Sequence, residues 1–66
     1  MLSFHAVNKI RTSLKMKLSN YSWYQGSRIE LENNKLIIKI SSKYLNKYVR
    51  NSVPFKVDGV DIRLEQ

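Results

Sequence analysis

Apolar residues near the start of the chain recur at steps of three and four: Phe4, Val7, Ile10, Leu14 and Leu18. That spacing places all five on one stripe of an α-helix, with Asn8, Arg11 and Lys15 elsewhere on its surface, and so predicts an amphipathic helix buried along one side. Ser3 stands where an N-cap belongs. Beyond it, Ser19 or Asn20 can cap a second, very short helix in which Tyr21, Trp23 and Tyr24 precede a break at Gly26-Ser27. Three aromatics so close together in a small protein read first as a plug of the core, ahead of a platform for stacking bases.

The period then changes from helical to two. Arg28-Ile29-Glu30-Leu31-Glu32 alternates strictly, Asn33-Asn34 tolerates the positive φ angles of a two-residue turn, and Leu36, Ile38 and Ile40 resume the alternation. Such a hairpin sets Leu31 against Leu36 and Ile29 against Ile38 on its apolar face. On the other face it pairs Glu32 with Lys35, Glu30 with Ile37 and Arg28 with Lys39. Two cations directly opposed are mildly destabilising, a local inconsistency of the kind that accompanies function.

Ser41-Ser42 offers the N-cap of a third helix of about ten residues. Its apolar stripe is Tyr44, Leu45, Tyr48 and Val49, while Lys43, Lys47 and Arg50 form a separate basic stripe at i, i+4 and i+7. Pro54 forbids continuation. The chain returns as Phe55-Lys56-Val57, a turn at Asp58-Gly59, and the alternating Val60-Asp61-Ile62-Arg63-Leu64, which is one bent strand or two short ones. The predicted architecture is α+β: two N-terminal helices, a β-hairpin, a third helix and the C-terminal strands, with the helices on one face of an antiparallel sheet.

Length and composition narrow the picture. The 66 residues read as a single domain, 1–66, and a chain this short buries only about 60% of its unfolded surface, so its stability is marginal. At 42% hydrophobic residues with two Gly and one Pro, the composition is that of a folded domain. The absence of cysteine excludes disulfides and thiolate zinc sites and points to a reduced, cytoplasmic setting. No apolar run approaches the roughly 20 residues of a membrane span, so no membrane partner is expected.

The net charge is +7, and its distribution is uneven: Lys9, Arg11, Lys15, Lys17 and Arg28 all precede the first acid, Glu30. Such a balance favours nucleic acid or an acidic protein surface as partner; the plain alternative is charge for solubility, helped by codon bias. Catalysis has little footing. The single His5 has no Cys, Asp or Glu nearby in sequence, and there is no Gly-rich phosphate loop, metal-ligand spacing or nucleophile motif. The expectation is a non-enzymatic protein without metal or cofactor.

Trp23, the second hairpin strand Asn34-Lys35-Leu36-Ile37-Ile38-Lys39-Ile40, two small polar residues, a basic residue, the aromatic Tyr44 and the pair Tyr48-Val49 together form a pattern. From about Trp23 to Arg50 it resembles the N-terminal domain of the bacterial replication initiator DnaA. The resemblance implies a KH-like fold acting as a docking module for a helicase, regulators of initiation or a second copy through the first helix, with weak contact to single-stranded DNA. Tyr44 then matches the aromatic at the start of the third helix implicated in helicase contact. The family's acidic helicase-contact position falls on Ser19, and the third helix with its exit is shorter by roughly ten residues. These departures fit a repurposed copy, such as a replication accessory of a phage, plasmid or mobile element.

Two functions follow as expectations, the first favoured, with contact to single-stranded DNA as its secondary activity, and the second its alternative. In the first, the domain docks on a helicase, primase, polymerase or initiator through an aromatic edge of Phe4, Trp23, Tyr24 and Tyr44. In the second, it binds single-stranded nucleic acid through Arg28, Lys35, Lys39, Lys43, Lys47 and Arg50, with one or two tyrosines stacking on bases.

Overall fold

The computed structural model describes residues 3–66. The first helix, α1, spans Phe4–Leu18 and opens as its sequence predicts: Ser3 Oγ accepts from the Ala6 amide at 3.2 Å. Val7, Leu14 and Leu18 are its buried stripe, Ile10 is partly buried, and Phe4 falls outside.

No second helix follows. Residues 19–23 form a turn in which the Tyr21 amide donates to the Leu18 carbonyl and the Tyr24 amide to the Tyr21 carbonyl. The Lys43 amide already donates to the Trp23 carbonyl at 2.8 Å. Aromatic side chains suit a pleated, half-buried surface, and pairing across the sheet overrides the local cap that Ser19 or Asn20 offers.

The hairpin strands are β1 (Tyr24–Glu32) and β2 (Lys35–Ser42). Their register is the expected one in every pair from Arg28↔Lys39 to Glu32↔Lys35. Asn33 and Asn34 have φ of 51° and 64°, the left-handed pair that a two-residue turn requires. Replacing Asn34 by Val, which tolerates this region far less well, should cost about 1–2 kcal/mol, read as a lowered urea midpoint at unchanged slope. Gly26 does not end the strand. At φ +125° it sits in a register shift between Tyr24 and Gly26, so β1 continues through a bulge where the sequence suggested a break.

That longer pairing takes Ser41 and Ser42 into β2, opposite Gly26 and Tyr24, and removes them as helix caps. The next helix, α2, covers only Lys47–Ser52. Asn46 caps it, its Oδ1 accepting from the Val49 amide at 2.8 Å. Tyr44 therefore lies in the connection before α2 and not on a ten-residue helix.

The chain returns as β3 (Lys56–Val57) and β4 (Val60–Glu65), joined by the Asp58-Gly59 turn. The strand order is β1-β2-β4-β3, with β4 parallel to β2 and antiparallel to β3. The sheet is thus mixed, because the connection through α2 brings β4 back beside β2 running in the same direction. Val7, Leu14 and Leu18 of α1 and Val49 of α2 cover one face, forming the core with Trp23, Ile38, Ile40, Val60 and Ile62.

Candidate nucleic-acid interface

Alternation puts Arg28, Glu30, Glu32, Lys39, Asp61, Arg63 and Glu65 on the sheet face that carries no helix. Arg28 pairs with Glu30 and, at 2.5 Å, with Glu65; Lys39 reaches Glu30 at 3.1 Å; Arg63 reaches Glu32 at 2.8 Å and Asp61 at 3.9 Å; Lys56 lies 3.7 Å from Asp61. The Arg28/Lys39 opposition is resolved by Glu30 between them. Ile37, directly across from Glu30, is only 2% exposed, consistent with cover from the stems of these long charged chains.

The hydrogen bond from Arg28, then that from Lys39, holds the Glu30 carboxyl below its usual value of 4.5. Hydrogen bonding to Glu30 raises the Arg28 guanidinium, and hydrogen bonding to Glu32 raises that of Arg63. Because the folded-state value of Glu30 is depressed, its contribution to stability is present above pH 4.5 and is lost as pH falls through the lower folded value. Glu30→Gln should therefore flatten the acid limb of a urea-midpoint-against-pH curve. The change should be small, since these pairs face water.

Four of the five acids and four of the twelve cations take part in this network; Asp58, in the β3–β4 turn, does not. The other eight cations, Lys9, Arg11, Lys15, Lys17, Lys35, Lys43, Lys47 and Arg50, make no ion pair among the described residues. Most of the net charge of +7 therefore resides away from the open face, with Lys35, opposite Glu32, the exception. Arg28 and Lys39, expected to hold phosphate, are neutralised by carboxylates and leave that role. Lys35 is exposed beside the hairpin turn.

Lys43, Lys47 and Arg50 are exposed, but only Lys47 and Arg50 share a helix; Lys43 precedes the connection in which Ser42 Oγ donates to the Tyr44 carbonyl. The predicted three-residue stripe is thus a loop cation followed by two helix cations. Beside them Tyr48 is 62% exposed and Tyr44 40% exposed. Tyr48 meets Tyr21 edge-on at 6.4 Å, and Tyr21 stacks on Trp23 at 5.1 Å. The exposed ring of Tyr48 is thereby backed by a row of aromatics leading into the core.

Tyr21 also lines a groove of about 440 Å³ between α1 and the α2–β3 connection. Lys9, Ser13 and Lys17 form the α1 side, Ser52 and Pro54 the other, and Asp58 also lines it. Neither Tyr21, Lys9 nor Lys17 stands out as a site residue in the sequence, because the groove that joins them is formed by segments more than thirty positions apart, and Tyr48 is linked to it only through its edge-on contact with Tyr21.

The predicted aromatic edge is not contiguous. Trp23 is 2% exposed and belongs to the core, and Tyr24 is half-buried against it, its hydroxyl donating to Ser27 Oγ at 3.3 Å. Phe4 is exposed, but at the end of α1 where Val7 shares a pocket with Lys35 and Leu36. Tyr44 follows the opposite end of β2, so the length of that strand separates the two. His5 is exposed on α1. Among the described residues no helix is long and apolar enough to cross a membrane.

No known protein family, curated protein or solved structure matches this chain.

Proposed function

We propose that this domain is a non-enzymatic module that binds single-stranded nucleic acid on its helical side. Lys43, Lys47 and Arg50 contact the backbone beside Tyr48, and Lys9 and Lys17 continue the track along the groove. The observation that carries this reading is the separation of charge: the carboxylates of the open face are neutralised in place, while the six cations of α1 and α2 make no ion pair among the described residues, with the exposed Tyr48 among them. An exposed ring backed by other rings offers a stacking surface at little entropic cost, and only unpaired bases can use it. Helix α2 has six residues and is too short to read a duplex groove.

Tyr48→Ala should weaken binding of an oligothymidylate by about tenfold to a hundredfold, since stacking on one base is worth about 1–3 kcal/mol. Tyr48→Phe, which keeps the ring, should bind as the unmodified protein does. Fluorescence anisotropy measures both; equal loss in the two variants, or none in either, would refute a stacking role.

A second reading is that the domain is a KH-like replication docking module of the DnaA N-terminal kind. The exposed ring of Tyr44 favours it. Tyr44→Ala would then cost about 2 kcal/mol or more toward a helicase, primase, polymerase or initiator, with little response to salt.

A further inference from the structure

β1 is an edge strand of nine residues, none of them buried, and its far side pairs with nothing among the described residues. The two-residue turn makes Glu32↔Lys35 a mutually hydrogen-bonded pair, and alternation gives the same status to Glu30 and Arg28. The amides and carbonyls of Ser27, Ile29 and Leu31 therefore point outward, unsatisfied by β2. Leu31 leaves 67% of its surface in water.

We propose that β1 pairs antiparallel with β1 of a second copy of this chain, on a two-fold axis through Ile29. In that register Ile29 bonds Ile29 of the other copy, and Ser27 and Leu31 bond each other across the seam, giving about six main-chain hydrogen bonds. Arg28 faces Glu30 of the second copy, and Glu30 faces its Arg28. These are the non-hydrogen-bonded positions, where side chains approach most closely. The neighbouring registers are disfavoured: an axis at Leu31 sets Glu30 against Glu32, and an axis at Glu30 or Arg28 sets a charge against itself. Charged residues on an edge ordinarily discourage pairing. Here the order Arg-Ile-Glu makes them selective for one partner, itself, and the product is an eight-stranded sheet with both α1 helices on one face. This contact is distinct from a dimer through the first helix.

The test is a charge swap read by sedimentation velocity from about 10 µM to about 1 mM, the range suited to a single strand pair. The unmodified protein should approach twice its 7.8 kDa mass as concentration rises. Arg28→Glu and Glu30→Arg should each raise the dimer dissociation constant about tenfold or more, because each places like charges opposite at two symmetric positions. The double variant should recover to within about threefold of the original, since the pairs then match again. Within one copy the double swap restores the Arg28/Glu30 pair but brings like charges together against Lys39 and Glu65, so the urea midpoint of each variant is read beside its mass. Loss and recovery of dimer without a parallel loss and recovery of stability belong to the seam, and a parallel change in both would overturn the proposal. In the unmodified protein, hydrogen exchange at the Ser27, Ile29 and Leu31 amides should slow as concentration rises. A monomer throughout, a dimer indifferent to the single reversals, or exchange at these amides independent of concentration would overturn the proposal.

Discussion

Reversing Lys43, Lys47 and Arg50 to glutamate together is expected to weaken oligonucleotide binding by at least about a hundredfold and to reduce the magnitude of the salt slope by about 2. The three side chains form no ion pair among the described residues, so the reversal removes attraction without breaking a contact. It also spares the fold. Lys47 begins α2, where a carboxylate suits the helix dipole better than an ammonium does, and Arg50 lies in the last turn, where the reverse holds, so the two changes roughly offset. Circular dichroism should show a nearly unchanged thermal midpoint. The same reversals at Arg28 and Lys39 should affect binding far less, because those cations already face Glu30 and Glu65. Equal losses at both sets of residues would mean that net charge alone matters and that the helical side is not a site.

Trp23→Ala should destabilise the domain by about 3–5 kcal/mol, enough to unfold most of a 66-residue chain at room temperature. Trp23 is 2% exposed, stacks on Tyr21, meets Tyr24 edge-on and packs with Leu18 and Ile40 in the core. Its indole Nε1 is buried and finds no acceptor among the described residues. Trp23→Phe keeps an aromatic ring and removes that unpaired donor, so it should cost much less than the alanine variant. Denaturant titration of both variants distinguishes a core residue from a docking residue. Were Trp23 a docking residue, the alanine variant would stay folded and lose only partner binding.

The hairpin was legible in the sequence because everything it needs is local: alternation on both sides of Asn33-Asn34 defines the turn, and the turn defines the register. The first helix was legible for the same reason, from Ser3 to Leu18. Helix α2 was not, since two candidate caps compete. Ser41-Ser42 loses to Asn46 only because Gly26 and Tyr24 draw the serines into the sheet, across a bulge that no local pattern announces. The mixed sheet was likewise hidden, because the direction of β4 depends on where the α2 connection delivers the chain.

The charge distribution is the clearest case of information that only the topology supplies. Arg63 and Glu32 stand 31 positions apart and meet across β2. Lys35, Lys39 and Lys43 look equivalent along the chain, yet Lys39 is paired with Glu30 and the others are free among the described residues. The basic character was readable from composition. Which cations remain available for a ligand was not.

The most direct test of the charge-separated surface is an anisotropy titration of a labelled oligothymidylate at two salt concentrations, about 50 mM and about 200 mM. Five cations on phosphate, Lys9, Lys17, Lys43, Lys47 and Arg50, give a slope near −0.7 per contact and hence roughly a hundredfold weaker binding at the higher salt. Absence of binding at the lower salt, or an affinity that barely moves between the two, would contradict the account.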